Sequence, residues 1–214
     1  MSVIFIVMDL SRPWAPIRSP IDMEVVRVLR GTKRPFTGRE VARLVRAGSQ
    51  PAVNASLRRL SEEGLVLAEE AGNAYLYTLN REHVAARAVE LLADVWGELE
   101  RRLREEIAGW QIAPVHLSIF GSAARGDGDT TSDIDLFVVR ARNVSSDDPR
   151  WRDQLDQLSG HVLAWTGNHA GLSEVSEGDV RRLQREQPPV IRELSGDAIT
   201  IAGAEPSKLF GGRR

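Results

Sequence analysis

Apolar residues in the first part of this chain recur mostly every three or four positions, the spacing of one face of a helix. Ile21–Arg30 sets Val25, Val26, Val28 and Leu29 on one side and ends before Gly31 and Pro35, which predicts a first helix. Thr37 is the expected N-cap of a second, over Gly38–Arg46, with Val41, Leu44 and Val45 inward. After a turn at Gly48 and Ser49, a third runs over Gln50–Glu63, with Pro51 in the tolerated first turn and Val53, Leu57 and Leu60 buried. The spacing then drops to two. Leu65–Glu69 and Ala74–Leu79, joined through Ala71, Gly72 and Asn73, read as a strand pair.

From His83 to about Ile107 the helical period returns, with Val84, Ala88, Leu91, Val95, Leu99 and Leu103 forming one stripe on an expected long linker helix. Its polar face carries Glu98–Arg102 and Glu100–Arg104 pairs. That pattern suits a solvated surface, and a helix pairing two copies in a homodimer is the other reading. Beyond Pro114 the strand period takes over. Val115, Leu117 and Ile119 alternate with His116 and Ser118, Asp133–Val139 is a second strand and Ala170–Val175 a third. Helices are expected over Glu177–Gln187 and Pro189–Leu194, and a last strand over Ala198–Ile201. The fold class is therefore α+β. The divisions are an irregular lead-in over 1–20 with prolines at 13, 16 and 20, helices and hairpin over 21–82, the linker over 83–110, a mixed-sheet domain over 111–203 and a flexible tail over 204–214.

Composition excludes more than it selects. The net charge is −2 and there is no cysteine, so disulfides and thiolate metal sites are ruled out, and a cytoplasmic location is expected. Val3–Met8 is too short to span a bilayer and lacks the flanks of a signal peptide, so no membrane partner is expected; it reads as an edge strand, or as residues preceding a true start at Met8. The near-neutral total hides an asymmetry. Residues 20–60 hold nine Lys or Arg against three acids, whereas residues 61–82 hold five acids against Arg81. A basic face is thus available on the first half.

The densest chemistry lies in GSAARGDGDTTSDIDLFVV, Gly121–Val139. Gly121 and Ser122 stand where a strand gives way to a short helix, so outward N–H groups and the Ser122 hydroxyl can meet phosphate, with Arg125 one turn on. Asp133 and Asp135, two apart on a strand, share a face. Two adjacent carboxylates repel unless a cation lies between them, and an all-oxygen donor set selects Mg²⁺ or Mn²⁺. His116, His161 and His169 have no spaced partner, and Trp151 and Trp165 read as core more readily than as base-stacking platforms.

In this order (strand, Gly-Ser, short helix, loop, strand with Asp-x-Asp, apolar run) residues 113–203 resemble the minimal nucleotidyltransferases of the DNA polymerase β superfamily. The resemblance implies that Gly121, Ser122 and Arg125 bind a nucleoside triphosphate, with ATP the expected donor, and that Asp133 and Asp135 hold the metal ions and carry catalysis. A third carboxylate from a later strand is usual in that family, and Glu174 is the candidate for it, as catalytic residue and metal ligand. The reaction implied moves a nucleoside monophosphate to a hydroxyl acceptor. The family's acceptors include protein side chains, and minimal members act as antitoxins on a toxin partner.

The segment from Thr37 to Asn80 resembles the winged helix-turn-helix domains of bacterial transcription regulators over about residues 21–82. That likeness implies double-stranded DNA as partner, with Gln50, Asn54, Ser56 and Arg58 facing base edges or phosphates and Arg39 and Arg43, with Lys33, Arg34 and Arg46, on the backbone. The hairpin tip has no Lys or Arg. The competing overall reading is a transcription regulator or antitoxin whose transferase domain senses nucleotide or is inactive.

Overall fold

The computed structural model describes residues 17–46, 48–126, 128 and 132–210; the Val3–Met8 run, most of the lead-in and the last four residues lie outside these. The chain divides into two compact units, residues 1–98 and 99–214.

The first unit runs α1 (Pro20–Arg30), β1 (Phe36–Thr37), α2 (Gly38–Leu44), α3 (Gln50–Glu62), β2 (Val66–Ala71), β3 (Ala74–Leu79) and α4 (Ala86–Leu92). Its sheet has the order β1-β3-β2, antiparallel throughout. Thr37 caps α2: its hydroxyl accepts from the Glu40 N–H while the Glu40 carboxylate accepts from the Thr37 N–H at 2.7 Å. Val25, Val26, Val41, Val53, Leu57 and Leu60 are fully buried in one core. Leu44, expected inside, is 50% exposed, because α2 ends there. Asp22 lies fully buried among these side chains and ties α1 to α3. Its carboxylate accepts from the N–H groups of Arg18 and Ser19, from the Ser56 hydroxyl at 2.6 Å and from the Arg59 guanidinium.

The expected single linker helix is two helices, α4 and α5 (Val95–Ala108). The chain turns at Ala93 and Asp94, where the Asp94 N–H bonds back to the Leu91 carbonyl and the Asp94 carboxylate receives the Arg30 guanidinium at 2.5 Å. An aspartate at such a point favours a fresh helix start over continuation. The apolar stripe is split accordingly. Ala86 and Val89 join the core of the first unit, Leu99 and Leu103 are buried, and Val84, Leu91 and Val95 are more than 60% exposed.

The second unit adds β4 (His116–Phe120), α6 (Gly121–Arg125), β5 (Ile134–Arg140), α7 (Pro149–Thr166), β6 (Ala170–Ser176), α8 (Glu177–Glu186), α9 (Pro189–Gly196), β7 (Ile199–Gly203) and α10 (Pro206–Phe210). The small sheet is mixed, with order β6-β5-β4-β7; β5 and β6 are parallel and the other pairs antiparallel. Phe120, Phe137 and Val139 pack against Val180, Ile191, Leu194 and Phe210 of α8, α9 and α10. The expected tail is therefore structured as far as Phe210, which a buried aromatic anchors. On β4, all five residues are buried rather than alternating, since a strand between two neighbours with helices above it has no wet face.

Candidate active site

β4 stops at Phe120, and α6 begins at once with Gly121 in a left-handed conformation, φ +69°. In the sheet, Asp135, the second residue of β5, pairs with Phe120 of β4 on one side and Gly171 of β6 on the other, and its side chain passes between two glycines, Gly121 and Gly171. A methyl group at Gly121 would lie 2.5 Å from Asp135 Oδ2, and one at Gly171 would lie 2.7 Å from Oδ1. Both positions must lack a side chain for the carboxylate to sit where it does. The same imagined methyl at Gly171 is 3.8 Å from the Asp133 Cβ, which places Asp133 on that side too.

Asp133 is exposed and Asp135 half-buried, and among the described residues no donor hydrogen-bonds to either carboxylate. Partial burial pushes the Asp135 carboxyl up, the negative charge of Asp133 adds to that, and Glu193 of α9 adds further; the Arg125 charge opposes them with less effect. The surroundings of Asp135 thus disfavour its charged form. Hard carboxylate oxygens with no competing donor fit Mg²⁺ or Mn²⁺, which take one or two protein carboxylates and complete their shell with water and phosphate oxygens. Among the described residues no group of three acids or histidines is arranged around a metal site. Half-buried Ser122 and exposed Arg125 stand on the adjoining α6, with Gly121 buried at its start.

Glu174 does not join Asp133 and Asp135. It pairs with Val138, three rungs beyond the Asp135–Gly171 pair, so it lies about 10 Å along the strand and faces the opposite side of the sheet. There it accepts from Arg140 Nε at 2.6 Å and from Trp151 Nε1 at 3.0 Å. The place on β6 beside Asp135 belongs to Gly171. Sequence reasoning missed both Gly171 and Glu193, since register and helix placement are needed to see them. Buried His116 lies between Ser118 Oγ and the Ala204 carbonyl, and His161 pairs with Glu106 at 2.9 Å and stacks on Trp165; His169 is exposed, and its backbone carbonyl accepts from the Ile134 N–H. Trp151 is fully buried.

On the first unit, Gln50, Asn54, Arg58, Arg39 and Arg43 are all exposed. Ser56 is not; it is 1% exposed and bonded to Asp22, because residue 56 falls on the Val53–Leu57–Leu60 face of α3. Arg34 is held by Glu40 and lies over the Phe36 ring.

The second unit thus sets paired carboxylates at the start of one strand of a small mixed sheet, beside a strand-to-helix glycine. The family model for the nucleotidyltransferase domain matches residues 99–189, starting where the second unit starts. No curated protein and no solved structure matches the chain. Among the described residues, no helix is long and apolar enough to cross a membrane.

Proposed function

We propose that this protein is a metal-dependent nucleotidyltransferase that moves a nucleoside monophosphate from a nucleoside triphosphate, ATP being the expected donor, to a hydroxyl. The observation that carries this reading is the Asp135 carboxylate, held between Gly121 and Gly171 with no donor among the described residues and with Asp133 beside it. Asp133 and Asp135 would hold Mg²⁺ or Mn²⁺, which when bound neutralises phosphate charge and lowers the pKa of an oxygen nucleophile. Ser122 and Arg125 offer a hydroxyl and a guanidinium to the phosphates, and Arg125 is near enough to Asp135 for its charge to be felt there. Incubation with labelled nucleoside triphosphates, Mg²⁺ and cell extract should give transfer of label by the wild type and none by Asp133→Ala/Asp135→Ala. Transfer that survives the double substitution sinks the assignment.

A second reading gains from Gly171 and Glu174: with a glycine beside Asp135 on β6 and Glu174 turned to the other face of the sheet, the domain would bind metal and nucleotide without transferring, and act as a sensor. Nucleotide binding without label transfer would select it. In either case the first unit is proposed as a winged helix-turn-helix reader of double-stranded DNA. The order α1, β1, α2, α3, β2, β3 around a three-stranded sheet supports this, as do the exposed Arg39, Arg43 and Arg58.

A further inference from the structure

On the exposed side of α3, Gln50 and Asn54 are one turn apart and joined. Gln50 Nε2 donates to Asn54 Oδ1 at 2.9 Å and to the Gly38 carbonyl at 3.1 Å, which uses both of its hydrogens. Gly38 permits this approach of α2 to α3, since a methyl group there would lie 2.9 Å from Asn54 Oδ1. What the pair still offers, with no partner among the described residues, is one acceptor, Gln50 Oε1, and one two-hydrogen donor, Asn54 Nδ2. Arg58, one turn beyond Asn54 in the i+4 row, and Arg39 and Arg43 on α2 are exposed cations of the same unit.

We infer that Gln50 and Asn54 act as a single amide unit that reads an adenine in the major groove, an inference that rests on the DNA-binding reading above. Adenine presents there an N6 donor beside an N7 acceptor, the complement of Oε1 beside Nδ2, whereas guanine presents two adjacent acceptors and no donor. The internal hydrogen bond fixes two rotamer-rich side chains before any duplex arrives, so less ordering is left to oppose binding. A free Gln or Asn reads one base by itself. A joined pair reads one base together, and loss of either member removes the same preference.

The test is selection from a pool of random-sequence duplexes by the full-length protein, followed by affinity measurement on the enriched duplex. Wild type is expected to enrich an A·T pair at one position and to prefer it about tenfold over G·C there. Gln50→Ala, Asn54→Ala and the double substitution should each abolish that preference at the same position, with unchanged melting temperature since both residues are exposed. Enrichment of G·C there, no enrichment at all, or relaxation at two different positions would overturn the amide unit while duplex binding itself persisted. If wild type binds no duplex, and Arg39→Ala/Arg43→Ala changes nothing, the DNA reading falls and the inference with it.

Discussion

Two aspartates, one in each unit, are withdrawn from water and treated in opposite ways. Asp22 is fully buried yet surrounded by donors: two backbone N–H groups, the Ser56 hydroxyl and the Arg59 guanidinium. Asp135 is only half-buried, has no donor among the described residues, and faces the charges of Asp133 and Glu193. Burial alone would raise both pKa values; at Asp22 the Ser56, Arg18 and Ser19 hydrogen bonds and then the Arg59 charge outweigh it and hold the carboxyl below its ordinary value, while at Asp135 the neighbours add to it. A carboxylate given four partners is part of the fold. One with no donor among the described residues, and with glycines leaving space on both sides of it, is open to a cation.

The largest effect that would sharpen this contrast is at Asp22. Asp22→Ala strands the buried Ser56 hydroxyl and the partly buried Arg59 guanidinium and removes the acceptor at the start of α1, at an expected cost of about 3–5 kcal/mol, read from urea unfolding of the full-length protein. The pH dependence has a definite sign. The folded-state pKa lies below the unfolded one, so this stability is complete above the ordinary aspartate range, about 4, and is lost as pH falls through the folded value. Asp22→Asn should lack that acid-induced loss. An alanine variant as stable as wild type would mean that the network contributes nothing.

Glu174 is the intermediate case, an acid that resembles Asp22 in its partners although the sequence suggests that it belongs with Asp135. Glu174→Gln removes the charge opposite Arg140, whose side chain is 13% exposed, while keeping an acceptor for the Trp151 N–H. The expected result is destabilisation of about 1–3 kcal/mol with Mn²⁺ and nucleotide binding unchanged. Calorimetric titration of the folded variant with Mn²⁺ and ATP checks it. A variant of full stability that no longer bound metal would return Glu174 to the active site.

What was legible in the sequence follows the range of the interactions involved. The faces of α1 and α3 could be read from spacing, because Val25, Val53, Leu57 and Leu60 answer to a local 3.6 period. Asp133 and Asp135 were legible together for the same kind of reason, a two-residue separation at a strand start. Glu174 was not. Its face depends on the register between β5 and β6, strands separated by the 18-residue α7, and an odd shift of register exchanges the two faces. α7 itself went unread although Asp148 caps it, Pro149 opens it, and Trp151, Leu155, Leu158 and Val162 keep helical spacing. The break at Asp94 was hidden because the apolar stripe runs on through it, serving one core before the turn and another after it.

The smallest expected effect is the most specific to the site. Asp135→Asn keeps the shape of the side chain between Gly121 and Gly171 and takes away only its charge. Because the Asp135 pKa is raised in the fold, its ionised form lowers stability at neutral pH: any stability it contributes is present below the unfolded pKa and is lost as pH rises through the folded one. Neutralising it should leave thermal stability unchanged or higher by up to about 1 kcal/mol in the absence of metal. With Mn²⁺ and ATP present the order should reverse, since a ligand that binds only the native state stabilises the wild type by mass action and has lost a carboxylate in the variant. Melting curves of both proteins, with and without Mn²⁺ and ATP, measure the two signs in one experiment. If Asp135→Asn instead cost as much stability as Asp22→Asn, Asp135 would be a structural acid like Asp22, and the distinction on which the active-site assignment rests would be gone.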